Sequence, residues 1–415
     1  MKKGEEKVDT AKGSNTRTGP LTGVRVLDFT HMVAGSYMTL QMAYLGADII
    51  KVESETRIDG WRVRDGNADY EMSWPFCDHN KGKRGITLNL KHPEAVHLVQ
   101  RLVSHCDAVT ENFSAGVMTR LGLGDDALRM ANPDLIIIHL PAMGTIGPRR
   151  DWVAWGPDLL AYTGFTHLWN HRTTDVPVGT QTSYLDYVVG LHGAVALVSA
   201  ILHRDFTGEG MVVELAQADT AVSFLGPLVL EALINGMDPM PSGNQSPWAV
   251  PSGCFPCSGE DVWSVLLVRD DFEWAALVEV MEHPSWVRPE HASLMGRMID
   301  HVNIEERLRA FTRTQNREYL ISRLQVAGVP AAPVNNAKDL ACDMGLERGG
   351  YFDEINHPRI GQHMFPGPAM QFSETPENHG QRAPLLGEHT VHVLEELLQA
   401  DQPQIQAWRA SGLLR

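Results

Sequence analysis

The sequence has few cysteines and no cysteine pattern typical of a metal site. It contains 5 cysteines in 415 residues, and a low, odd number in a long chain suits a reducing compartment, so we expect a cytoplasmic protein. Cys254 and Cys257 form a C-x-x-C, but a zinc site normally uses a second close pair and a redox pair needs a thioredoxin-like context. We therefore interpret the cysteines as ordinary free thiols.

Positive charge is also scarce. Lys and Arg number 35 against 51 Asp and Glu, a formal net charge of −16, which argues against nucleic acid or an anionic membrane as the main partner. An anionic ligand could still be held by a few local basic residues. No stretch approaches the roughly 18 apolar residues of a membrane span, and residues 1–19 are expected to form a flexible tail rather than a signal peptide.

A dinucleotide fingerprint is missing from a predicted β-α-β unit near the start of the chain. Val24–Phe29 has a buried-strand pattern, Ser36–Leu45 a helical pattern that ends at a glycine, and Ala47–Glu53 a second strand pattern ending in an acid. The turn Thr30–Gly35 reads THMVAG and lacks the glycines of G-x-G-x-x-G that let a pyrophosphate approach. We therefore do not expect NAD binding.

Strand and helix patterns continue to alternate after this unit. A helix is predicted at Glu94–Ser104, strands at Ala108–Glu111 and Leu135–His139, and a strand followed by a helix within Met211–Ala221. Such alternation predicts an α/β fold with a parallel sheet. The glycine-containing loop Pro141–Pro148 follows a strand, and open α/β sheets bind ligands at the carboxyl ends of their strands.

Asp186 stands at the start of a long apolar segment, Tyr187–Leu202, whose composition and length favour a buried helix. It has two interpretations. It could be a first-turn acid stabilised by free backbone N–H groups and the helix dipole, or a desolvated carboxylate that acts as a nucleophile beside a substrate. Local sequence does not decide between them.

A basic turn at Lys81, Lys83 and Arg84 is unusual in so acidic a chain. It is either a solvated turn or a binding site for phosphate groups.

The length of the chain predicts two domains, since 415 residues exceed the size that one core usually serves. A segment rich in Pro, Gly and Ser suggests where the chain leaves the first domain. The predicted layout is a tail at 1–19, a large domain at 20–235, a linker at 236–261, a small domain at 262–334, a linker at 335–358 and the rest of the large domain at 359–415.

Seven stretches, taken in order and spacing, resemble the class III CoA-transferases, the family of formyl-CoA:oxalate and carnitine CoA-transferases. They are VRVLDFTHMVAG, LGADIIKVE, NKGKRGITLNLK, ENFSAGVMTRLG, LDYVVGLHGAVALVSAILHRDFTGEG, AGVPAAPV and RAPLLGEHT. The resemblance implies an α/β fold: a Rossmann-like large domain formed by both chain ends, a smaller inserted α+β domain, and an interlocked dimer of identical or related chains.

The resemblance places the chemistry on Asp186, which precedes Gly190 and a long helix as the family's catalytic aspartate does. It implies that the carboxylate attacks a donor acyl-CoA, for example succinyl-CoA, to give a mixed anhydride and CoA thiolate. The thiolate then forms an aspartyl-CoA thioester and frees the donor acid, and an acceptor carboxylic acid reverses these steps. The resemblance requires no metal or redox cofactor, since coenzyme A thioesters are the substrates.

The resemblance also implies a CoA site. CoA carries a diphosphate and a 3′-phosphate, which require cationic and backbone N–H contacts. Where formyl-CoA enzymes have an arginine after the second strand this chain has Ser54, and Arg57 is expected to substitute for it. The implied CoA contacts are His31, Ala34, Arg57, Lys83, Arg84, Asn112, Phe113 and Arg120.

The implied substrate pocket contains Val33, Met143, Gly144 and Trp248. Val33 replaces a glutamine of the formyl-CoA enzymes. The loop Met143–Gly147 and glycines near Asn244 are candidates for N–H donors and a lid. Trp169, His171 and Arg172 suggest room for an acid larger than formate or oxalate, such as benzylsuccinate.

Two alternative functions remain within the same superfamily. The 2-methylacyl-CoA racemases use a histidine in a G-H-D motif, and Pro157 occupies that place here. Proline cannot exchange a proton, so a racemase would need another base. A non-catalytic subunit of a heterodimeric transferase is the second alternative, against which the presence of Asp186 argues.

Overall fold

The structure is a computed structural model that describes residues 18–63, 66, 68–171, 174, 176–180 and 182–415. It contains two compact units. The first comprises the described residues of Met1–Thr163, Thr180–Leu230 and Gly350–Arg415, and the second comprises those of Gly164–Gly179 and Glu231–Gly349. Residues 1–17 of the predicted tail lie outside the described residues.

The strands belong to three sheets. Their bounds are β1 Arg25–Asp28, β2 Asp48–Glu53, β3 Arg84–Thr87, β4 Ala108–Glu111, β5 Ile136–His139, β6 Val212–Glu214, β7 Ser252–Pro256, β8 Trp263–Leu267, β9 Ala331–Val334, β10 Phe352–His357 and β11 Gly361–Pro366. The first unit holds a six-stranded sheet in the order β3-β2-β1-β4-β5-β6 and a β10-β11 hairpin, and the second holds a sheet in the order β7-β8-β9.

Helices make up about half of the remaining described chain. They are α1 Ala34–Tyr44, α2 Gly60–Val63, α3 Trp74–His79, α4 Ala95–Val103, α5 Val117–Arg120, α6 Asp125–Ala131, α7 Gly156–Tyr162, α8 Phe165–Leu168, α9 Tyr184–Thr207, α10 Gln217–Ser223, α11 Gly226–Asn235, α12 Asp271–Val280, α13 Leu294–Ile299, α14 His301–Thr312, α15 Arg317–Val326, α16 Ala337–Ala341, α17 Met344–Arg348, α18 Thr390–Leu398 and α19 Gln402–Ser411. Tyr70–Met72 and Pro289–Ala292 form 3-10 turns.

Neighbouring strands of the six-stranded sheet are all parallel, which confirms the predicted α/β class. The strand order is that of doubly wound nucleotide-binding folds. In this order β1 and β4 are neighbours, and the connections from them run to opposite sides of the sheet. The carboxyl ends of β1 and β4 therefore flank the crevice where such folds bind ligands.

Each face of this sheet has its own apolar core because side chains alternate along a strand. Leu27 and Val109 face a core that also contains residues of α4, α6, α18 and α19. Val26 and Ala108 face the other core, which contains Met38 of α1 and residues of α9. The last helices of the chain thus pack on the sheet formed by its first part.

Two glycines allow α9 to approach α1 closely. A Cβ on Gly190 would lie 2.8 Å from the carbonyl oxygen of Ala34, and a Cβ on Gly193 would lie 2.6 Å from Met38 Sδ. Any side chain at Gly190 would push the two helices apart. The predicted helix Tyr187–Leu202 is present, longer at both ends.

The second unit packs helices against one face of its antiparallel sheet. Its core contains Phe255 and Leu266 from the strands and Trp274, Ile304 and Leu324 from α12, α14 and α15. Within the predicted linker 236–261 the structure has the strand β7. This strand contains a glycine and a proline, residue types that are typical of linkers, so the sequence did not indicate a strand there. Because β7 is an edge strand, Pro256 is tolerated at its end.

Within the described residues, α9 is long and apolar enough to cross a membrane, with a mean hydropathy of 1.8 over an 18-residue window. The expectation that no stretch reaches that length is therefore wrong. The pair α10 and α11 passes the same test only as a broken span bent by 70°. Buried core helices also pass it, and 56% of the α9 window is buried, so this is weak evidence for a membrane.

Candidate active site

Asp186 is the third residue of α9, and its side chain is buried. It is 8% exposed, and its Oδ2 has no hydrogen-bond partner among the described residues. Burial raises the pKa of Asp186 to about 6, although a hydrogen bond from the Ser183 hydroxyl opposes the rise. A first-turn acid that only capped the helix would not leave one oxygen buried and unpartnered, so this geometry favours a functional role.

Gly156 makes room for the unpartnered oxygen. It is the first residue of α7, and a Cβ built on it would lie 2.0 Å from Asp186 Oδ2 and 2.7 Å from Ser183 Cβ. No side chain fits there without moving Asp186. The next residue, Pro157, has neither an N–H nor a titratable side-chain group, so it cannot act as the second base of a racemase.

The start of α1 lies beside the turn of α9 that follows Asp186. Gly190 is one turn after Asp186 on the same side of the helix, and it touches the carbonyl of Ala34 and the ring of Tyr37. Ala34 is the first residue of α1, and the cap residue Val33 makes no side-chain hydrogen bond to the helix. Because the first N–H groups of a helix lack intrahelical partners, this end of α1 can stabilise negative charge.

An aromatic cluster that the sequence does not predict surrounds Tyr187, the residue after Asp186. Tyr187 Oη lies 3.1 Å from His79 Nε2, and its ring meets Tyr37 edge-on at 4.8 Å between centroids. His79 Nδ1 lies 2.8 Å from the carbonyl of Pro75, so Nδ1 carries the proton and Nε2 accepts from Tyr187. Burial lowers the pKa of His79, which keeps the ring neutral. No sequence pattern pairs residues 79 and 187.

Three predicted CoA contacts meet between the ends of β1 and β4. The backbone N–H of His31 donates to Asn112 Oδ1 at 2.9 Å, and Asn112 Nδ2 donates to the His31 carbonyl at 2.8 Å. The rings of His31 and Phe113 meet edge-on at 5.7 Å. Their position is the crevice where doubly wound sheets bind nucleotides, and their role in CoA binding stays a prediction.

A buried pair of charges, also missed, supports the loop after β1. Asp59 Oδ1 accepts from the backbone N–H of Met32 at 2.9 Å, and Asp59 Oδ2 pairs with Lys51 Nζ at 2.9 Å. Lys51 also donates to the carbonyl of Thr30 at 2.7 Å. Met32 has φ 63°, which is uncommon without glycine. The Asp59 and Lys51 contacts therefore hold a loop conformation that would otherwise be unfavourable.

Lys83 lies inside the first unit rather than on its surface. Its Nζ is 3.3 Å from Asp28 Oδ2, 2.9 Å from the Ser36 carbonyl and 2.8 Å from Asn80 Oδ1. Burial lowers the pKa of Lys83 to about 8, and Asp28 opposes the shift. Each ammonium proton has an acceptor, so in this arrangement Lys83 stabilises the fold and offers no proton to a phosphate.

The three predicted arginines differ in accessibility. Arg84 is buried and donates from Nε to Asp48 at 2.9 Å and from Nη1 to Glu396 at 2.5 Å. Arg57, in the turn after β2, and Arg120, at the end of α5, are exposed. Arg57 and Arg120 are therefore the predicted cations that an external phosphate could reach.

Glu53, the acid that ends β2, is unavailable to a ribose. Its carboxylate receives the guanidinium of Arg62 at 2.9 Å and the backbone N–H of Asp59 at 2.9 Å. This agrees with the missing dinucleotide fingerprint.

The comparison with protein families decides the assignment. The model described as CoA-transferase family III matches residues 21–390. The chain belongs to CoA-transferase family III. The family resemblance predicted from the seven sequence stretches is thus confirmed.

Curated relatives include members with named substrates. The chain is 31% identical to "Probable CoA-transferase Rv1866" of Mycobacterium tuberculosis over 91% of its own length but 48% of that protein, so it spans about half of that relative. It is 28% identical to the formyl-CoA:oxalate CoA-transferase of Afipia carboxidovorans, over 95% of this chain and 97% of that protein. It is 27% identical to the succinyl-CoA:glutarate CoA-transferase of Mus musculus, over 95% and 90%.

A solved structure has the same fold. The crystal structure of a CAIB/BAIF family protein from Brucella suis superposes with a TM-score of 0.84 at 25% identity, covering 92% of this chain and all of that one (100%).

Of the four residues expected to line the substrate pocket, three belong to the first unit and Trp248 belongs to the second. Val33 is 4% exposed and so packs inward, whereas Met143 is half-buried. Gly144, at φ 83°, belongs to the loop after β5, and a Cβ there would lie 3.1 Å from Glu214 Oε1. Trp248 is exposed in the second unit, as are Trp169 and His171. Arg172 lies outside the described residues.

Proposed function

We propose that this protein is an acyl-CoA:carboxylate CoA-transferase with Asp186 as its covalent nucleophile. The observation that carries the proposal is the buried Oδ2 of Asp186, which has no partner among the described residues and lies against Gly156. With a pKa near 6, roughly nine-tenths of such a carboxyl is ionised at pH 7. Asp186 is therefore both charged and poorly solvated, which is what a nucleophilic carboxylate requires.

The proposed reaction exchanges acyl groups without net oxidation. An oxygen of Asp186 attacks the thioester carbonyl, the C–S bond breaks, and a mixed anhydride and CoA thiolate form. The thiolate attacks the aspartyl carbonyl, forming aspartyl-CoA thioester and releasing the donor carboxylate. The acceptor carboxylate then attacks the aspartyl-CoA carbonyl, the C–S bond breaks, and a second mixed anhydride and CoA thiolate form. The thiolate attacks the acceptor acyl carbon of this anhydride, which gives the product acyl-CoA and releases the Asp186 carboxylate. No metal or redox cofactor takes part in these steps.

We assign the stabilisation of developing oxyanions to the start of α1. The first turn of α1, which begins at Ala34, packs against Gly190, one turn after Asp186 on α9, and fixed dipoles in a dry site lower the barrier for charge that develops there. We place CoA across the crevice at His31, Asn112 and Phe113. Arg57 is the exposed cation we assign to a phosphate of CoA.

The donor we propose is succinyl-CoA and the acceptor is an acid larger than oxalate. The support is that one relative is named a succinyl-CoA:glutarate CoA-transferase. Val33 and the aromatic rings of Tyr37 and Tyr187 also give this site an apolar side. Initial rates with glutarate, benzylsuccinate and oxalate as acceptors would test this choice, and activity with oxalate alone would reject it.

We also propose that the working form is a dimer with a second copy or a related chain, located in the cytoplasm. None of the 10 residues of α11, all of them described, is buried. Leu233 is 76% exposed, Ile234 is 74% exposed, and Phe206 at the end of α9 is 89% exposed. Exposed apolar surface of this kind marks an interface with a protein or a membrane. The net charge of −16 makes an anionic membrane an unfavourable partner, so we assign this surface to a protein partner. None of the five cysteines, all of which lie in the described residues, forms a disulfide, in keeping with a reducing compartment.

The deciding experiment is intact-protein mass spectrometry after incubation with succinyl-CoA and other acyl-CoAs. We expect an adduct of the mass of CoA, less water, that hydroxylamine removes and that Asp186→Ala abolishes. Asp205→Ala, which alters an exposed acid of the same helix, should keep the adduct. No adduct from any donor on folded protein would reject the mechanism. Exchange of the substrate α-proton in D2O would then reveal a racemase, and absence of both would indicate a non-catalytic subunit.

A further inference from the structure

A second titratable cluster lies at the carboxyl ends of β4 and β5, outside the Asp186 site. His139 Nδ1 is 2.6 Å from Glu111 Oε1, and His139 Nε2 is 2.9 Å from Asp125 Oδ1. The side chains of His139 and Glu111 are 13% and 8% exposed. Burial lowers the pKa of His139, but the two carboxylates outweigh it and raise the pKa to about 10. The ring is therefore an imidazolium that donates from both nitrogens.

Hydrogen bonds connect Glu111 to the residues of the predicted CoA site. While one oxygen of Glu111 receives His139, the other accepts the backbone N–H of Phe113 at 2.7 Å. Between them in sequence, Asn112 makes its two hydrogen bonds to the backbone of His31. The orientation of the Glu111 carboxylate therefore determines where the turn Asn112–Phe113 meets the loop after β1.

We propose that His139 is a positioning residue for the CoA thioester. By holding Glu111 in one orientation, it keeps the N–H of Phe113 bonded and the turn Asn112–Phe113 closed on His31. A loop that is already ordered in its binding conformation loses less freedom when the ligand binds. This inference rests on the proposed function, because it assumes that CoA occupies the crevice between β1 and β4.

The role predicts an effect on CoA affinity separate from the chemical step. His139→Gln keeps a donor of similar size but removes the charge, so it can hold only one of the two carboxylates. We expect the Kd of free CoA, measured by titration calorimetry on the full chain, to rise roughly tenfold. The KM for the donor acyl-CoA should rise by a similar factor. The kcat at saturating donor and the KM for the acceptor acid should stay within about twofold, which a merely destabilised protein would not show.

A matched control and a second variant make the test decisive. His97→Gln changes an exposed histidine of α4 and should bind CoA like the wild type. Glu111→Gln breaks the same contact from its other end, so it should weaken CoA binding similarly and serves if His139→Gln does not fold. In the double variant the two amides can pair, and the loss should be no larger than in either single variant.

The outcomes separate this inference from the proposed function. If wild type and His97→Gln bind CoA and both His139→Gln and Glu111→Gln bind it equally well, the positioning role is wrong and the transferase function stands. If the loss appears in kcat or in the KM for the acceptor instead, the role is also wrong. If the wild type does not bind CoA, the proposed function and this inference both fail.

Discussion

Replacing Asp186 by asparagine should stabilise the folded protein while removing its activity. The carboxyl is 8% exposed, and burial raises its pKa from 3.8 to about 6. Between these two values the folded state binds more protons at this site than the unfolded state, so stability falls as pH rises. Above pH 6 the folded protein carries the full cost of a buried, poorly solvated charge, and Asp186→Asn removes that cost.

The size of the gain follows from the same shift. A pKa that rises from 3.8 to about 6 corresponds to roughly 3 kcal/mol in the free energy of unfolding. In Asp186→Asn, a polar atom of the amide occupies the position of Oδ2 and is likewise buried without a partner. This lowers the free energy of unfolding of the variant by about 1–2 kcal/mol. We therefore expect a net gain of about 1–2 kcal/mol at pH 7.5, which for a chain of 415 residues is roughly 1–2 °C in Tm.

Calorimetric unfolding of both proteins from pH 4 to pH 8 measures this prediction. The difference in stability between Asp186→Asn and wild type should grow between about pH 4 and pH 6 and stay constant above pH 7. Asp205→Asn, at a position 60% exposed on the same helix, should show no such pH-dependent gain. A variant that is no more stable than wild type at pH 7.5, with no dependence on pH, would refute the reasoning.

Three further predictions test the surroundings of the site. Gly156→Ala should lower kcat/KM at least 100-fold, because the added Cβ would lie 2.0 Å from Asp186 Oδ2. The control Gly179→Ala, whose added Cβ would have its nearest contact at 3.6 Å, should be as active as wild type. Asn112→Ala removes both hydrogen bonds to His31 and should raise the Kd of CoA about 10- to 50-fold by calorimetry; an unchanged Kd would place CoA elsewhere. Leu233→Glu puts a charge on the exposed face of α11, and light scattering after gel filtration should show monomers; an unaltered dimer would exclude α11 from the interface.

The sheet could be predicted from sequence because its signals are local. Ala108–Glu111 was predicted residue for residue. The observed β1, β2 and β5 differ from their predicted bounds by one residue at one or both ends, since each is a short apolar run bounded by turn residues. The β10-β11 hairpin and α19 were not predicted. In the hairpin, buried Ile355 and Phe365 stand among polar residues, so no apolar run marks it.

Of the candidate site, only the proposed nucleophile is indicated by a local feature of the sequence. Asp186 is the acid that begins a long apolar helix, and that is visible in the sequence. The support of Met32 by Asp59, and of Phe113 by Glu111 and His139, depends on contacts between separate elements. For Lys83 the sequence suggests a contact that this arrangement does not offer. A basic turn indicates a phosphate site only when the ammonium group reaches solvent, and here the ammonium group of Lys83 pairs with the interior carboxylate of Asp28.

The pKa of Asp186 should also set the acid limb of the activity, in the opposite sense to stability. The nucleophile must be ionised, so kcat/KM should fall about tenfold for each pH unit below about pH 6. His79 does not explain such a limb, because burial lowers its pKa below the usual range. His139 does not explain it either, because its pKa is raised to about 10. Initial rates from pH 4.5 to pH 8, with the donor below its KM, would measure the limb. A midpoint near pH 4 would mean that the carboxylate is solvated in the free enzyme, and the burial that carries the proposed mechanism would then be absent in solution.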